Sequence, residues 1–280
     1  MNYRHAFHAG NFADVFKHTI LVGLVDALKT KPGAFCVLDT HAGRGSYDLS
    51  SEEAQRTGEF REGVARLMFG DIQPPLLQRY IDEVRRCDDS TPLKRYPGSP
   101  LLVSLMLREQ DRGVFCELQP EEAAALKQAL RGDARSAAHQ RDGYAAMKAF
   151  LPPPERRGLV LIDPPFEAQD GEFRIIESAL DTALQRWPTG LYAIWYPIKR
   201  RSGVMPFQRW LSRCGAKSVL NAELMIHPDT SPLRLNGCGM AIINPPWQFD
   251  AQLVQTLPTL TQWLAPDKSG SWRCDWLVEG

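Results

Sequence analysis

Apolar positions fall along this chain in two alternating patterns. Short, nearly continuous runs occur at 34–39 (Ala-Phe-Cys-Val-Leu-Asp), 113–117 (Gly-Val-Phe-Cys-Glu), 159–163 (Leu-Val-Leu-Ile-Asp), 190–195 (Gly-Leu-Tyr-Ala-Ile-Trp), 217–226 and 238–244 (Cys-Gly-Met-Ala-Ile-Ile-Asn). Their length and lack of polar interruption predict strands buried on both faces. Between most of them lie segments with helical spacing, at 100–110, 120–131, 143–150, 172–186 and 204–213. A further helix precedes the first strand: Asn11 is followed three residues later by Asp14 and then by Val15, Phe16, Ile20, Leu24 and Leu28, a capped amphipathic pattern that stops at Lys31-Pro32-Gly33. Such alternation predicts an α/β fold, a doubly wound and mostly parallel sheet covered on both faces.

One interval breaks the rhythm. The first strand ends at 39 and the second begins at 113, roughly fifty residues more than one crossover helix needs. Residues 47–98 are therefore expected to form an inserted helical subdomain, with helical stretches at Glu52–Phe69 and Leu76–Cys87, and residues 1–46 with 99–280 the main domain. The last strand is expected to end at 244–247, and no internal repeat or low-complexity tract interrupts the chain.

Composition narrows the classes without choosing among them. The chain has 280 residues, 44% hydrophobic and 24% charged, enough for one large α/β domain with an insertion and too apolar for disorder. Lys plus Arg and Asp plus Glu are each 33, so no global positive field draws the protein to nucleic acid, and any such contact has to come from local basic surface. The scattered cysteines, several within apolar runs, read as reduced core residues. No run reaches the length of a membrane span and the first residues lack a signal-peptide core, so the expected setting is cytoplasmic.

Chemistry is concentrated at strand ends, where an open α/β sheet holds its ligands. The run at 159–163 ends in Asp163-Pro164-Pro165-Phe166. The prolines stop the ladder and leave the carbonyls of Asp163 and Pro164 free, so that a planar base can donate its amine to the Asp163 carboxylate and the Pro164 carbonyl while stacking on Phe166. After the first strand, Asp39-Thr-His-Ala-Gly43-Arg-Gly45-Ser46 is a glycine turn of the kind nucleotide loops use, although alone it reads equally as a plain turn. Glu117 ends the second strand, where an acid can chelate ribose hydroxyls; alone it reads as a surface acid before Pro120. Gln140-Arg-Asp142-Gly143-Tyr144 places an acid and a glycine where an adenine amine can be read. A second tetrapeptide, Asn244-Pro-Pro-Trp247, also follows an apolar strand, but only 33 residues come after it against 114 after Phe166, so the first is taken as the reactive turn. His5, His8 and His18 suggest metal, yet no cysteine pair or closed four-ligand set accompanies them, and no metal is expected.

The succession of glycine turn, ribose acid, adenine acid and Asp-Pro-Pro-aromatic resembles class I S-adenosyl-methionine-dependent methyltransferases of amines. The N-terminal Tyr3-Arg-His-Ala-Phe-His-Ala-Gly-Asn-Phe-Ala-Asp-Val-Phe-Lys-His18 is similar to the hallmark of the RlmJ family, the 23S rRNA (adenine-N6)-methyltransferases. Thr40-His-Ala-Gly43, Tyr96-Pro-Gly-Ser-Pro100, Ile162-Asp-Pro-Pro165, Trp195-Tyr-Pro197 and Asn244-Pro-Pro-Trp247 extend the resemblance over essentially the whole chain. It implies a class I fold, S-adenosyl-methionine as cofactor, and N6-methylation of adenine 2030 in 23S rRNA that is free or partly assembled, by a monomer. By the same resemblance Lys17 and His18 meet the methionine end of the cofactor, with His41, Gly43 and Ser99 nearby. Glu117 takes the ribose, Asp142 and Gly143 the adenine, and Asp163 the reactive amine, while Tyr3 touches the RNA. Phe166 stands where Tyr is frequent in amine methyltransferases, which keeps stacking and loses a hydroxyl.

The expected mechanism turns on a poor nucleophile. Hydrogen bonds to the Asp163 carboxylate and the Pro164 carbonyl favour the pyramidal amine and free its lone pair for the sulfonium methyl, with Asp163 stabilising the developing positive charge. The base has to be unstacked, which favours a loop or bulge. Arg4, Arg156-Arg157 and Lys199-Arg200-Arg201 are candidate backbone contacts. Competing readings are methylation of DNA adenine or of a protein amide, since the tetrapeptide signals an sp² amine and not its carrier, and a non-catalytic RNA-binding assembly factor on the same fold.

Overall fold

The computed structural model describes residues 4–71, 73–167, 169–232, 235–267 and 269–280, with the side chains of 169 and 170 left aside. A short 3₁₀ turn, His5–Phe7, leads into helix α1 (Phe12–Lys29). Asn11 caps α1, its side chain accepting from the Ala13 and Asp14 N–H groups at 3.0 Å each, while the Asp14 carboxylate reaches back to the Gly10 N–H at 2.9 Å. Such a closed helix start contributes about 1 kcal/mol.

Strand β1 (Cys36–Asp39) follows, then a short ladder strand β2 (Ser46–Asp48), helices α2 (Glu52–Thr57), α3 (Glu59–Glu62), α4 (Val64–Met68) and α5 (Pro75–Cys87), and the returning strand β3 (Arg95–Pro97). β2 and β3 pair antiparallel, Ser46 opposite Pro97 and Asp48 opposite Arg95, so the chain leaves and re-enters the main fold through one two-stranded stitch. The long helix expected at 52–69 is three short ones. Gly58 turns left-handed at φ +64°, and at Gly63 a Cβ would lie 2.1 Å from the Gly10 carbonyl, so the helical path bends to let the N-terminal segment pass. Val64, Leu67, Leu77, Tyr80 and Val84 bury against α1 in the same core as the main sheet.

The remaining elements are α6 (Ser99–Met106), β4 (Arg112–Glu117), α7 (Pro120–Ala129), β5 (Ser136–Gln140), α8 (Gly143–Phe150), β6 (Gly158–Ile162), α9 (Gln169–Arg186), β7 (Leu191–Ile198), α10 (Arg201–Leu211), β8 (Val219–Met225), β9 (Gly237–Ile243), α11 (Phe249–Leu264) and β10 (Ser271–Val278). They build an eight-stranded sheet in the order β10-β8-β9-β7-β6-β1-β4-β5. Strands β5 to β7 in that order are parallel, whereas β9 runs antiparallel to both β7 and β8, and β10 antiparallel to β8. This is the class I S-adenosyl-methionine-dependent methyltransferase arrangement, with an added edge strand.

Alternation along the strands divides the core. Val37, Phe115, Leu159, Leu161 and Ala193 face α1, α5, α6 and α11, while Leu38, Val114, Val160, Ile162 and Ile194 face α8, α9 and α10. The expected end of the last strand at 244–247 is corrected: α11 and β10 follow it. Within α11, Phe249, Leu253, Leu257, Leu260 and Leu264 form the buried stripe. Because β9 is inverted, the Asn244-Pro-Pro-Trp247 turn emerges beside the start of β7, with the Asn244 amide donating to the Pro188 and Gly190 carbonyls at 2.9 and 2.8 Å. It lies at the opposite end of the strands from the C-terminal ends of β1, β4 and β6. Among the described residues no helix is long and apolar enough to cross a membrane.

Candidate active site

The strand order reverses at β1: from there the chain builds outward through β4 to β5, then crosses back to β6 and β7. Ligands of doubly wound sheets sit in the crevice that such a reversal opens beyond the strand ends. Period-two alternation puts Asp39 and Glu117 on the face that carries α1, and Asp163 follows β6 by one residue and meets Lys17 of α1.

Lys17 is 6% exposed, and its ammonium is shared between Asp163 and Asp14, whose Oδ1 lies 3.0 Å away. Burial disfavours the charged lysine, but the two carboxylates prevail and hold its pKa well above the ordinary value. His18, the next residue, is buried beneath the β2–β3 stitch with Nδ1 2.7 Å from the Tyr96 hydroxyl, which in turn lies 3.0 Å from that of Tyr80. Burial, helped by the Lys17 charge, lowers its pKa to about 3, so the ring is neutral.

On β1 the Asp39 carboxylate is fully buried and accepts from the Ser99 hydroxyl at 2.6 Å and from the His41 N–H at 3.2 Å. Burial raises its pKa to about 7, against the pull of Ser99. The Thr40 hydroxyl donates to the Leu161 carbonyl at 3.0 Å and lies 2.8 Å from His41 Nδ1, tying the ends of β1 and β6 together. Desolvation lowers the His41 pKa to about 4 although the charges of Asp163 and Asp142 oppose it. The His41 ring meets Tyr144 edge-on at 5.1 Å.

Glu117 accepts the Gly43 N–H at 2.9 Å and the Gln119 N–H at 2.7 Å, which fixes its carboxylate over the glycine turn. Gly43 has φ +62°, a conformation that suits glycine. Asp142 caps α8 through the Ala145 N–H at 2.7 Å, and the following Gly143 packs so closely on β1 that a Cβ would lie 2.1 Å from the Thr40 carbonyl oxygen.

Lys17, His41, Gly43, Ser99, Glu117, Asp142, Gly143 and Asp163 thus gather around one crevice, from strand ends and helix starts far apart in sequence. His18 is a wall behind it, facing Tyr96. Tyr3 lies outside the described residues, and Arg4 is exposed beside the first 3₁₀ turn. Phe166 departs from the expected open platform. Its backbone turns left-handed at φ +48° and its ring is 6% exposed, edge-on to Phe173 at 5.3 Å and to Trp195 at 5.8 Å. Asp14 and Asp39 belong to the same cluster, although the sequence marks Asp14 only as part of the helix start and Asp39 only as the first residue of the glycine turn.

A family model described as ribosomal RNA large subunit methyltransferase D, RlmJ, matches residues 32–278. The chain belongs to the RlmJ family. It is 41% identical to ribosomal RNA large subunit methyltransferase J of Escherichia coli K12 and 39% identical to that of Haemophilus influenzae, over 99% of both chains in each case. A crystal structure of a Legionella pneumophila protein superposes with a TM-score of 0.88 at 36% identity, covering 96% of this chain and 98% of that one. As an RlmJ-family member the protein is an rRNA methyltransferase, and the family and class I fold imply use of S-adenosyl-methionine. The crevice fits such a group: two carboxylates at neighbouring strand ends suit hydroxyl and amine donors, and Gly143 leaves the α8 start close to β1.

Proposed function

We propose that the chain transfers the methyl group to N6 of a single adenine in 23S rRNA, at the position the family resemblance implies. The observation that carries this reading is the Asp163-Pro164-Pro165-Phe166 turn at the mouth of β6, with Asp163 side chain 17% exposed and turned toward α1 in the crevice of the strand reversal. Bound S-adenosyl-methionine supplies an electrophilic methyl group. Glu117 is assigned to its ribose hydroxyls, Asp142 and Gly143 to its adenine, and Lys17, His41 and Ser99 to the region of its methionine end.

On the substrate side, the Asp163 carboxylate and the Pro164 carbonyl accept the two N–H groups of the target amine. Both acceptors sit side by side at the end of β6, and together they favour the pyramidal nitrogen and the positive charge that develops on it. Phe166 supports the turn from behind, wedged against Phe173 and Trp195. Tyr3 and Arg4 are assigned to the RNA. The substrate on this reading is free or partly assembled rRNA, whose target base can leave its stack, and the setting is the cytoplasm.

The test is incubation with labelled S-adenosyl-methionine and unmodified 23S rRNA, with DNA and protein pools alongside, followed by nucleoside analysis. N6-methyladenosine in the rRNA is expected. Asp163→Ala is expected to lower the transfer rate by roughly two to three orders of magnitude with the cofactor still bound. Label in DNA or protein in preference to rRNA, or full turnover by Asp163→Ala, would refute the assignment.

A further inference from the structure

Asp14 sits in the first turn of α1 and is 2% exposed. Its Oδ2 accepts the Gly10 N–H at 2.9 Å and lies 2.9 Å from His5 Nε2, while its Oδ1 lies 3.0 Å from Lys17 Nζ. One carboxylate therefore joins three things: the turn that opens the chain, the start of α1, and the ammonium that rests on Asp163. Lys17 is the common partner of both acids, and its side chain is only 7% exposed.

We propose that Asp14 is a positioning residue for methyl transfer: it is the carboxylate that keeps Lys17 paired when Asp163 turns from Lys17 to the amine of the target base. This rests on the reading that Asp163 receives that amine. An ammonium buried this deeply is not left without a counter-ion, because stranding one partner of a buried pair costs a factor on the order of 100 or more in the equilibrium. With Asp14 Oδ1 3.0 Å from Lys17 Nζ, Asp163 can exchange the ammonium for the amine while Lys17 keeps a counter-ion. Without it, Lys17 has Asp163 alone and holds it. No bond is made or broken at Asp14; it sets which partner Lys17 keeps. The structural alternative is that Asp14 only closes the start of α1 through Gly10.

Asp14→Asn separates the two, since an amide oxygen still accepts the Gly10 N–H but no longer balances the ammonium. Rates of single-turnover methyl transfer to unmodified large-subunit rRNA are compared for wild type, Asp14→Asn, Lys17→Met and the double variant, with cofactor affinity and thermal unfolding measured on each. For Asp14→Asn the expected result is a fall in rate on the order of 100-fold, with the cofactor Kd within about threefold of wild type. The double variant is expected to transfer no more slowly than Lys17→Met, because without Lys17 there is nothing for Asp14 to hold. Wild-type turnover by Asp14→Asn, or a double variant that suffers the full Asp14→Asn loss on top of that of Lys17→Met, would overturn the proposal. Should Lys17→Met fall below detection, Asp14→Asn decides: a rate loss with folding and cofactor binding intact supports the proposal, and parallel loss of all three overturns it. The adenine reading is judged separately by the product nucleoside, since the rates count all methyl groups entering rRNA.

Discussion

Replacing Gly143 by alanine tests the side of the crevice proposed to take the cofactor. A Cβ at this position would lie 2.1 Å from the Thr40 carbonyl oxygen and 2.7 Å from the Thr40 carbonyl carbon and Cβ. Resting contacts between such atoms are longer, so the start of α8 and the end of β1 have to part by about 1 Å. Neither side yields freely. Thr40 is held by its N–H and its hydroxyl, both donating to the Leu161 carbonyl at 3.0 Å, and α8 is held by the Asp142 cap on Ala145. Overpacking of this kind costs roughly 1–3 kcal/mol, which for a domain of this size lowers Tm by roughly 2–10 °C. Function suffers more, because a displacement of about 1 Å in a positioning element costs on the order of 100-fold. The assay is a thermal scan together with equilibrium binding of S-adenosyl-methionine. Gly143→Ala with unchanged Tm and unchanged cofactor affinity would mean that α8 does not rest on the β1 end as described.

Two further predictions concern stability. His18 titrates near 3 in the fold and near 6.5 when unfolded, so between these values the unfolded chain binds the extra proton and stability falls as pH drops. Its contribution to the slope approaches about 1.4 kcal/mol per pH unit below pH 6, and His18→Gln should remove it. Asp39, raised to about 7 by burial, acts in the opposite direction in both proteins and so cancels in the comparison. Urea unfolding at a series of pH values reads the difference, and equal slopes would contradict the burial assigned to His18. Gly203, within α10, has nothing within 4 Å of a built Cβ, so Gly203→Ala should stabilise the fold by roughly 0.5–1 kcal/mol without affecting transfer. A lower Tm for this variant would show that α10 packs more tightly there.

Much of the fold was legible because its central strands are buried on both faces. The runs that became β1, β4, β6, β7, β8 and β9 carry almost no polar interruption, and the strand ends that bear Gly43, Glu117, Asp142 and Asp163 follow in order. Edges were less legible. β5, Ser-Ala-Ala-His-Gln, is small and polar because it closes the sheet half-exposed, and β10, Ser-Trp-Arg-Cys-Asp-Trp-Leu-Val, alternates as an antiparallel edge strand does. Pro258 inside α11 weakened a helical stripe that packing enforces. The inversion of β9 is a long-range choice that no local pattern encodes, yet it is what sends Asn244-Pro-Pro-Trp247 to the opposite end of the strands and leaves Asp163-Pro-Pro-Phe166 as the tetrapeptide at the strand reversal. Likewise Asp14 looked like a helix cap, and only the approach of α1 to β6 gives it Lys17 and Asp163 as neighbours.

On the proposed function, methyl transfer occurs where the Asp163–Pro164 turn opens into the crevice of the strand reversal. A crystal structure of the protein with S-adenosyl-methionine bound tests this most directly. The expected result is the ribose against Glu117, the adenine beside Asp142 and Gly143, and the methyl-bearing sulfur facing the Asp163 carboxylate and the Pro164 carbonyl. Cofactor bound away from these strand ends, or with its sulfur turned from that turn, would contradict it.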